Sequence, residues 1–71
     1  MEPEMELVES SSVEAVGFAP ETNELWIRFE GGATYVYSPV PRSVHRELLG
    51  SVSIGKYINQ FIKPRFGCRE V

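Results

Sequence analysis

Two consecutive glycines, Gly31 and Gly32, separate Glu24-Leu-Trp-Ile-Arg-Phe29 from Thr34-Tyr-Val-Tyr37, and no other stretch constrains this chain as much. Leu25, Ile27 and Phe29 alternate with Trp26, Arg28 and Glu30, the period of a strand with one buried face. Glycine supplies the positive φ that a tight antiparallel connection needs. The chain must therefore fold back over Glu30 to Ala33, and the hairpin register decides where both tyrosines point. A two-residue loop pairs Glu30 with Ala33 and places Tyr35 and Tyr37 on the face of Trp26 and Arg28. A three-residue loop with a bulge pairs Phe29 with Tyr35 and Ile27 with Tyr37, which places them on the core face; a one-residue slip exchanges the faces. A chain of 71 residues buries only about 60% of its unfolded surface, so its core needs its aromatics. That favours the bulged register, with Trp26, Arg28, Thr34 and Val36 lining the outer face.

Upstream, Val13 to Phe18 reads as a second strand. Val16 and Phe18 share a face while Val13 has the opposite parity, and a bulge reconciles them. Ala19 to Asn23 reads as a turn, with Pro20 fixing φ and Asn23 tolerating positive φ. Ser10, Ser11 and Ser12 are expected to bond to nearby backbone. Residues 1–6, with three Glu, a proline and little to bury, read as a disordered tail; residues 7–71 read as one domain. Downstream, a helix runs from Pro41 to Leu49, with Val44 and Leu48 inward, Arg42, His45 and Arg46 outward, and Gly50 at its end. Ser51 or Ser53 caps a second helix, in which Ile54, Tyr57, Ile58, Phe61 and Ile62 form an apolar stripe that Pro64 ends. Phe66 and Val71 are then available to pack, and Arg65 and Arg69 face solvent. The expected fold class is α+β: a three-stranded antiparallel β-meander followed by two α-helices packed on one face.

The net charge of −3 divides unevenly. Residues 1–30 hold eight Glu and one Arg, whereas residues 31–71 hold six basic residues and two Glu. Such a split fits an anionic partner for the basic half, and it equally fits two halves that attract each other. The single cysteine, Cys68, can form neither an internal disulfide nor a cysteine-based zinc site, and it reads as a small semi-apolar residue near the C-terminus rather than a reactive thiol. There is one histidine, His45, expected on an exposed face, and no Asp. No catalytic residue, metal site or cofactor is assigned. Gly50 to Lys56 has the spacing of a nucleotide-hydrolase phosphate loop, but Tyr57 stands where that loop needs Ser or Thr, and a helix precedes it instead of a strand. What survives is a helix start, Ser53, Gly55 and Lys56, that can hold a phosphate or can serve simply as a cap beside a solvated lysine. With it, Arg42, Arg46, Lys56, Lys63, Arg65 and Arg69 form a candidate surface for nucleic acid, with Trp26, Tyr57 or Phe66 near enough to stack bases. The acidic overall balance argues instead for an ordinary solvated helix surface. No apolar run approaches the roughly 20 residues of a membrane helix. The acidic start is no secretory signal, so the expected location is the cytoplasm, as a monomer with no membrane partner.

The run SSSVEAVGF, then LWIRF, the glycine turn into YVY, VP before a helix ending LLG, and finally SIGKYINQFIK together resemble the KTSC domain. That domain is named for the C-terminal extension of some lysyl-tRNA synthetases and also occurs as a small stand-alone bacterial protein. The resemblance spans Leu7 to Val71 and rests on the order of its motifs. Its tyrosine-x-tyrosine motif falls on Tyr35 and Tyr37, and its Ser-x-Gly-x-Tyr-x-Asn pattern on Ser53, Gly55, Tyr57 and Asn59. Phe66-Gly67-Cys68 departs from the family's usual aromatic-Pro-aromatic ending. The resemblance implies structural roles for the motif residues, no known activity, and RNA binding by association with the synthetase. Two readings follow. One is a non-catalytic module for tRNA or single-stranded RNA that uses the six basic residues, with Ser53 to Lys56 on one phosphate. The other is a protein-interaction module or homodimer that uses Trp26, Arg28 and Val36 on an open sheet face, or an edge strand.

Overall fold

The computed structural model describes residues 2–71. In chain order its elements are β1 (Glu6–Leu7), β2 (Val13–Ala19), β3 (Glu24–Phe29), β4 (Thr34–Ser38), α1 (Arg42–Leu49), α2 (Ile54–Tyr57), a π-helical turn (Ile58–Ile62) and β5 (Gly67–Glu70). The strands form one antiparallel sheet in the order β1-β2-β3-β4-β5. The α+β class and the central meander agree with expectation, but the sheet has five strands, not three. The two added strands show no alternation of burial: every residue of β1 and β5 is exposed. Backbone pairing holds them, because without them β2 and β4 would present open edges of N–H and C=O groups.

The hairpin loop is Glu30, Gly31 and Gly32, closed by the Phe29 N–H donating to the Ala33 carbonyl at 2.8 Å. Gly31 and Gly32 have φ of 99° and 98°, and nothing stands within 4 Å of where their Cβ atoms would be. Backbone conformation, and not crowding, is what calls for glycine there. The register pairs Ile27 with Tyr35 and Leu25 with Tyr37, two residues from the expected pairing of Phe29 with Tyr35. A two-residue shift preserves parity, so both tyrosines still lie on the core face, with Tyr37 only 3% exposed. The expected bulge in β2 is present between Val13 and Ala15, and Asn23 takes a positive φ of 55°.

Val13, Val16, Leu25, Ile27 and Tyr37 on this face meet Val40, Val44, Leu48, Ile54, Ile58 and Ile62 in one core. The helical stripe is narrower than the sequence suggests. Ile54, Ile58 and Ile62 are buried, Tyr57 is half-buried and Phe61 faces solvent. Only one turn is α-helical; the Lys63 N–H then donates to the Ile58 carbonyl, five residues back, at 2.9 Å. The wider turn keeps every fourth residue in line and rotates Phe61 outward. Gly50 is the C-cap of α1 at φ −91°, without the left-handed conformation, and the Ser51 hydroxyl donates to the Leu48 carbonyl at 2.7 Å. At the other end Phe66 packs on the core, while Val71 does not and stays exposed.

The outer face of the sheet is not the open surface expected of it. Trp26 is 8% and Val36 1% exposed. Pro3, Glu4 and Met5 lie against Gly17, which pairs with Trp26. A Cβ on Gly17 would sit 2.7 Å from both the Glu4 carbonyl oxygen and the Met5 sulfur. The absent side chain thus admits the strap. Glu2 reaches further across to Arg28 at 2.8 Å. Of the tail expected at residues 1–6, residue 1 lies outside the described residues, and residues 2–6 are placed along the sheet.

Candidate nucleic-acid interface

The core positions two sets of cations on opposite sides of the sheet. The first set is neutralised. Arg28 pairs with Glu2 at 2.8 Å and Glu14 at 3.7 Å, and Arg69 pairs with Glu24 at 3.2 Å. The Arg69 hydrogen bond, and then that of the Trp26 indole N–H, hold the Glu24 carboxyl below its usual range. The register sets Arg69 opposite Val36, on the outer face and away from the helices. The structure therefore separates it from the other five candidates.

The second set is Arg42, Arg46, Lys56, Lys63 and Arg65. Each is exposed, and among the described residues none lies in an ion pair. Arg42 and Arg46 flank His45 on α1, around a shallow cleft with Phe18. His45 is not the free surface residue expected. Its ring stacks on Phe18 at 5.2 Å and 12°, and burial pulls its pKa below the ordinary value, opposed by the charge of Glu6 and aided by that of Arg42. Arg65 lies over the Phe66 ring at 5.6 Å, and Lys63 over the Phe29 ring at 5.5 Å. Between residues 39 and 66 Glu47 is the one carboxylate, and it accepts the Tyr57 hydroxyl at 2.7 Å. Tyr57 thus ties α2 to α1.

Ser53 is the N-cap of α2 and accepts the Lys56 N–H at 3.3 Å. Folding brings a second serine cluster to it, an approach that local sequence does not signal. Ser10 accepts the N–H groups of Ser12 and Val13, as expected of serines leading into a strand. Ser12 Oγ would stand 2.6 Å from a Cβ on Gly55, so glycine at this position lets the serine turn lie against the helix. Glu9, Ser10 to Ser12, Ser53, Gly55, Lys56 and Asn59 share a polar cleft of about 350 Å³, in which Glu9 is the one carboxylate. The Ser-x-Gly-x-Tyr-x-Asn pattern is hence accounted for by a cap, a close approach, an interhelical hydrogen bond and a cleft wall.

Tyr35 and Tyr37 line a second cleft, of about 490 Å³, with Phe29, Ala33, Lys63 and Cys68. Tyr35 meets Phe29 edge-on at 5.8 Å. Burial, and then the neighbouring Cys68, push the Tyr37 hydroxyl up to about 12. Raised in the folded state, this pKa favours folding fully below the ordinary tyrosine value of about 10, and the benefit is lost as pH rises through about 12. Phenolate absorbance should accordingly show one tyrosine ionising only near pH 12, and Tyr37→Phe should remove that step. A titration complete near 10 would show that Tyr37 is open to solvent. Cys68 and Phe29 were not among the sequence candidates, because Cys68 reaches the cleft only through β5.

Comparison with known proteins agrees with this architecture. A protein of Tsukamurella paurometabola is 48% identical over 62 residues, 87% of this chain and 92% of that one. A lysine–tRNA ligase of Nostoc is 38% identical over 58 residues, 82% of this chain but 10% of the ligase. The crystal structure of a KTSC domain protein from Yersinia pestis superposes with a TM-score of 0.90 at 35% identity, covering 96% of each chain. The family model for the KTSC domain matches residues 9–66. That span reaches from the serine turn through the hairpin and both helices to Phe66, and with it the chain belongs to the KTSC domain family.

Proposed function

We propose that this domain is a non-catalytic module that binds RNA, tRNA or a single strand, through its helical side. The observation that carries the reading is the sorting of charge. The carboxylates that pair with arginines do so on the outer sheet face, at Arg28 and Arg69, while among the described residues Arg42, Arg46, Lys56, Lys63 and Arg65 lie in no ion pair. Such a one-sided distribution attracts a polyanion even when the overall charge is negative. The occurrence of a homologous segment in lysine–tRNA ligases supports RNA as that polyanion. In this reading Ser53 to Lys56 hold one phosphate, with Lys56 offsetting the Glu9 carboxylate that also lines the cleft.

Affinity for a short single-stranded RNA should fall with salt, with a log-log slope of about −0.7 for each phosphate contacted. Engagement of three to five of these cations predicts a slope of about −2 to −3.5. A slope near zero in filter-binding or fluorescence titrations would overturn the reading. It would favour instead a protein partner, for which the exposed edge strand β5 offers backbone pairing.

A further inference from the structure

We infer that the cleft of Phe29, Tyr35, Tyr37, Lys63 and Cys68 is a subsite for one unstacked base of the bound strand, with Lys63 on the adjoining phosphate. The inference rests on the RNA reading and deepens it. The helices cover Val16, Leu25, Ile27 and Tyr37 but leave Phe29 and Tyr35, toward the hairpin end of the same sheet face, only partly covered. Phe29 and Tyr35 are only half-buried, although they belong to a chain with few large apolar side chains. Three aromatic rings form the walls, and the Lys63 ammonium, in no ion pair among the described residues, stands over one of them.

A planar heteroaromatic ring that carries an anion matches this lining. The rings give stacking or edge contacts, the tyrosine hydroxyls offer donors and acceptors, and Lys63 offers the charge. A neutral apolar ligand would leave the lysine without a partner. A carboxylate or phosphate alone would leave the rings unused. Lys63 also belongs to the cationic helical side, so a strand held there passes the mouth of the cleft.

Fluorescence polarisation with labelled oligouridine, with an abasic ribose-phosphate strand of equal length, and with adenosine monophosphate as competitor tests the inference. The base-bearing strand should bind about tenfold or more tighter than the abasic one, the range expected for one stacked base. Phe29→Leu and Tyr35→Leu should each reduce that ratio toward one, and Tyr35→Phe should retain most of it. Equal binding of the two strands would overturn the subsite and leave the RNA reading standing. Binding of neither would overturn both. Adenosine monophosphate bound in the cleft with no strand binding would assign it to a free nucleotide and overturn the proposal.

Discussion

Ile27→Ala should lower the free energy of unfolding by about 2–5 kcal/mol, the cost of a deleted core side chain and its cavity. Ile27 is fully buried in the central strand, where it pairs with Val16 on one side and Tyr35 on the other. The whole domain of 71 residues has roughly 4–11 kcal/mol to lose, at 0.05–0.15 kcal/mol per residue. One substitution thus removes a large share of its stability, and partial unfolding at room temperature is an expected result. Ile27→Val, which deletes one methyl group, should cost about 0.5–1.5 kcal/mol. Leu7→Ala, at an exposed position, should stay within about 0.5 kcal/mol of the parent. Urea melts followed by Trp26 fluorescence check the order. Equal losses for Ile27→Ala and Leu7→Ala would place the core elsewhere.

The double reversal Arg42→Glu with Arg46→Glu should weaken RNA binding by at least about tenfold at low salt and make the salt slope shallower by about 1.4, for two phosphate contacts. Both arginines are exposed on α1 and free of ion pairs among the described residues, so their replacement should leave the melting curve nearly unchanged. Arg69→Gln is the matched control. Its partner is Glu24 and its face is the outer one, so binding should not change. Loss of affinity in the control but not in the double variant would move the interface to the other side of the sheet.

How much of this was legible in the sequence depended on whether a feature is local. The central hairpin was legible because Leu25, Ile27 and Phe29 alternate around a glycine pair, and the β2 bulge because Val13 breaks parity with Val16. The face of Tyr35 and Tyr37 followed from the needs of a small core, whereas their register did not, since a shift of two residues leaves the face unaltered. β1 and β5 escaped notice because backbone pairing forms them without a buried side-chain pattern. The strap over Gly17 closed a face that the reading of residues 1–6 as a tail left open. At the candidate site, each cation could be named from the sequence, but which of them glutamates neutralise is a tertiary fact. So is the meeting of Ser12 with Gly55, and of Cys68 with Tyr37.

The most direct test of the central claim is an amide chemical-shift titration with a short oligouridine at low and at moderate salt. Shifts at Arg42 to Arg46, from Ser53 to Lys63 and at Arg65, fading as salt rises, are the predicted result. No movement at low salt, or shifts confined to Trp26, Val36 and Arg69, would contradict it.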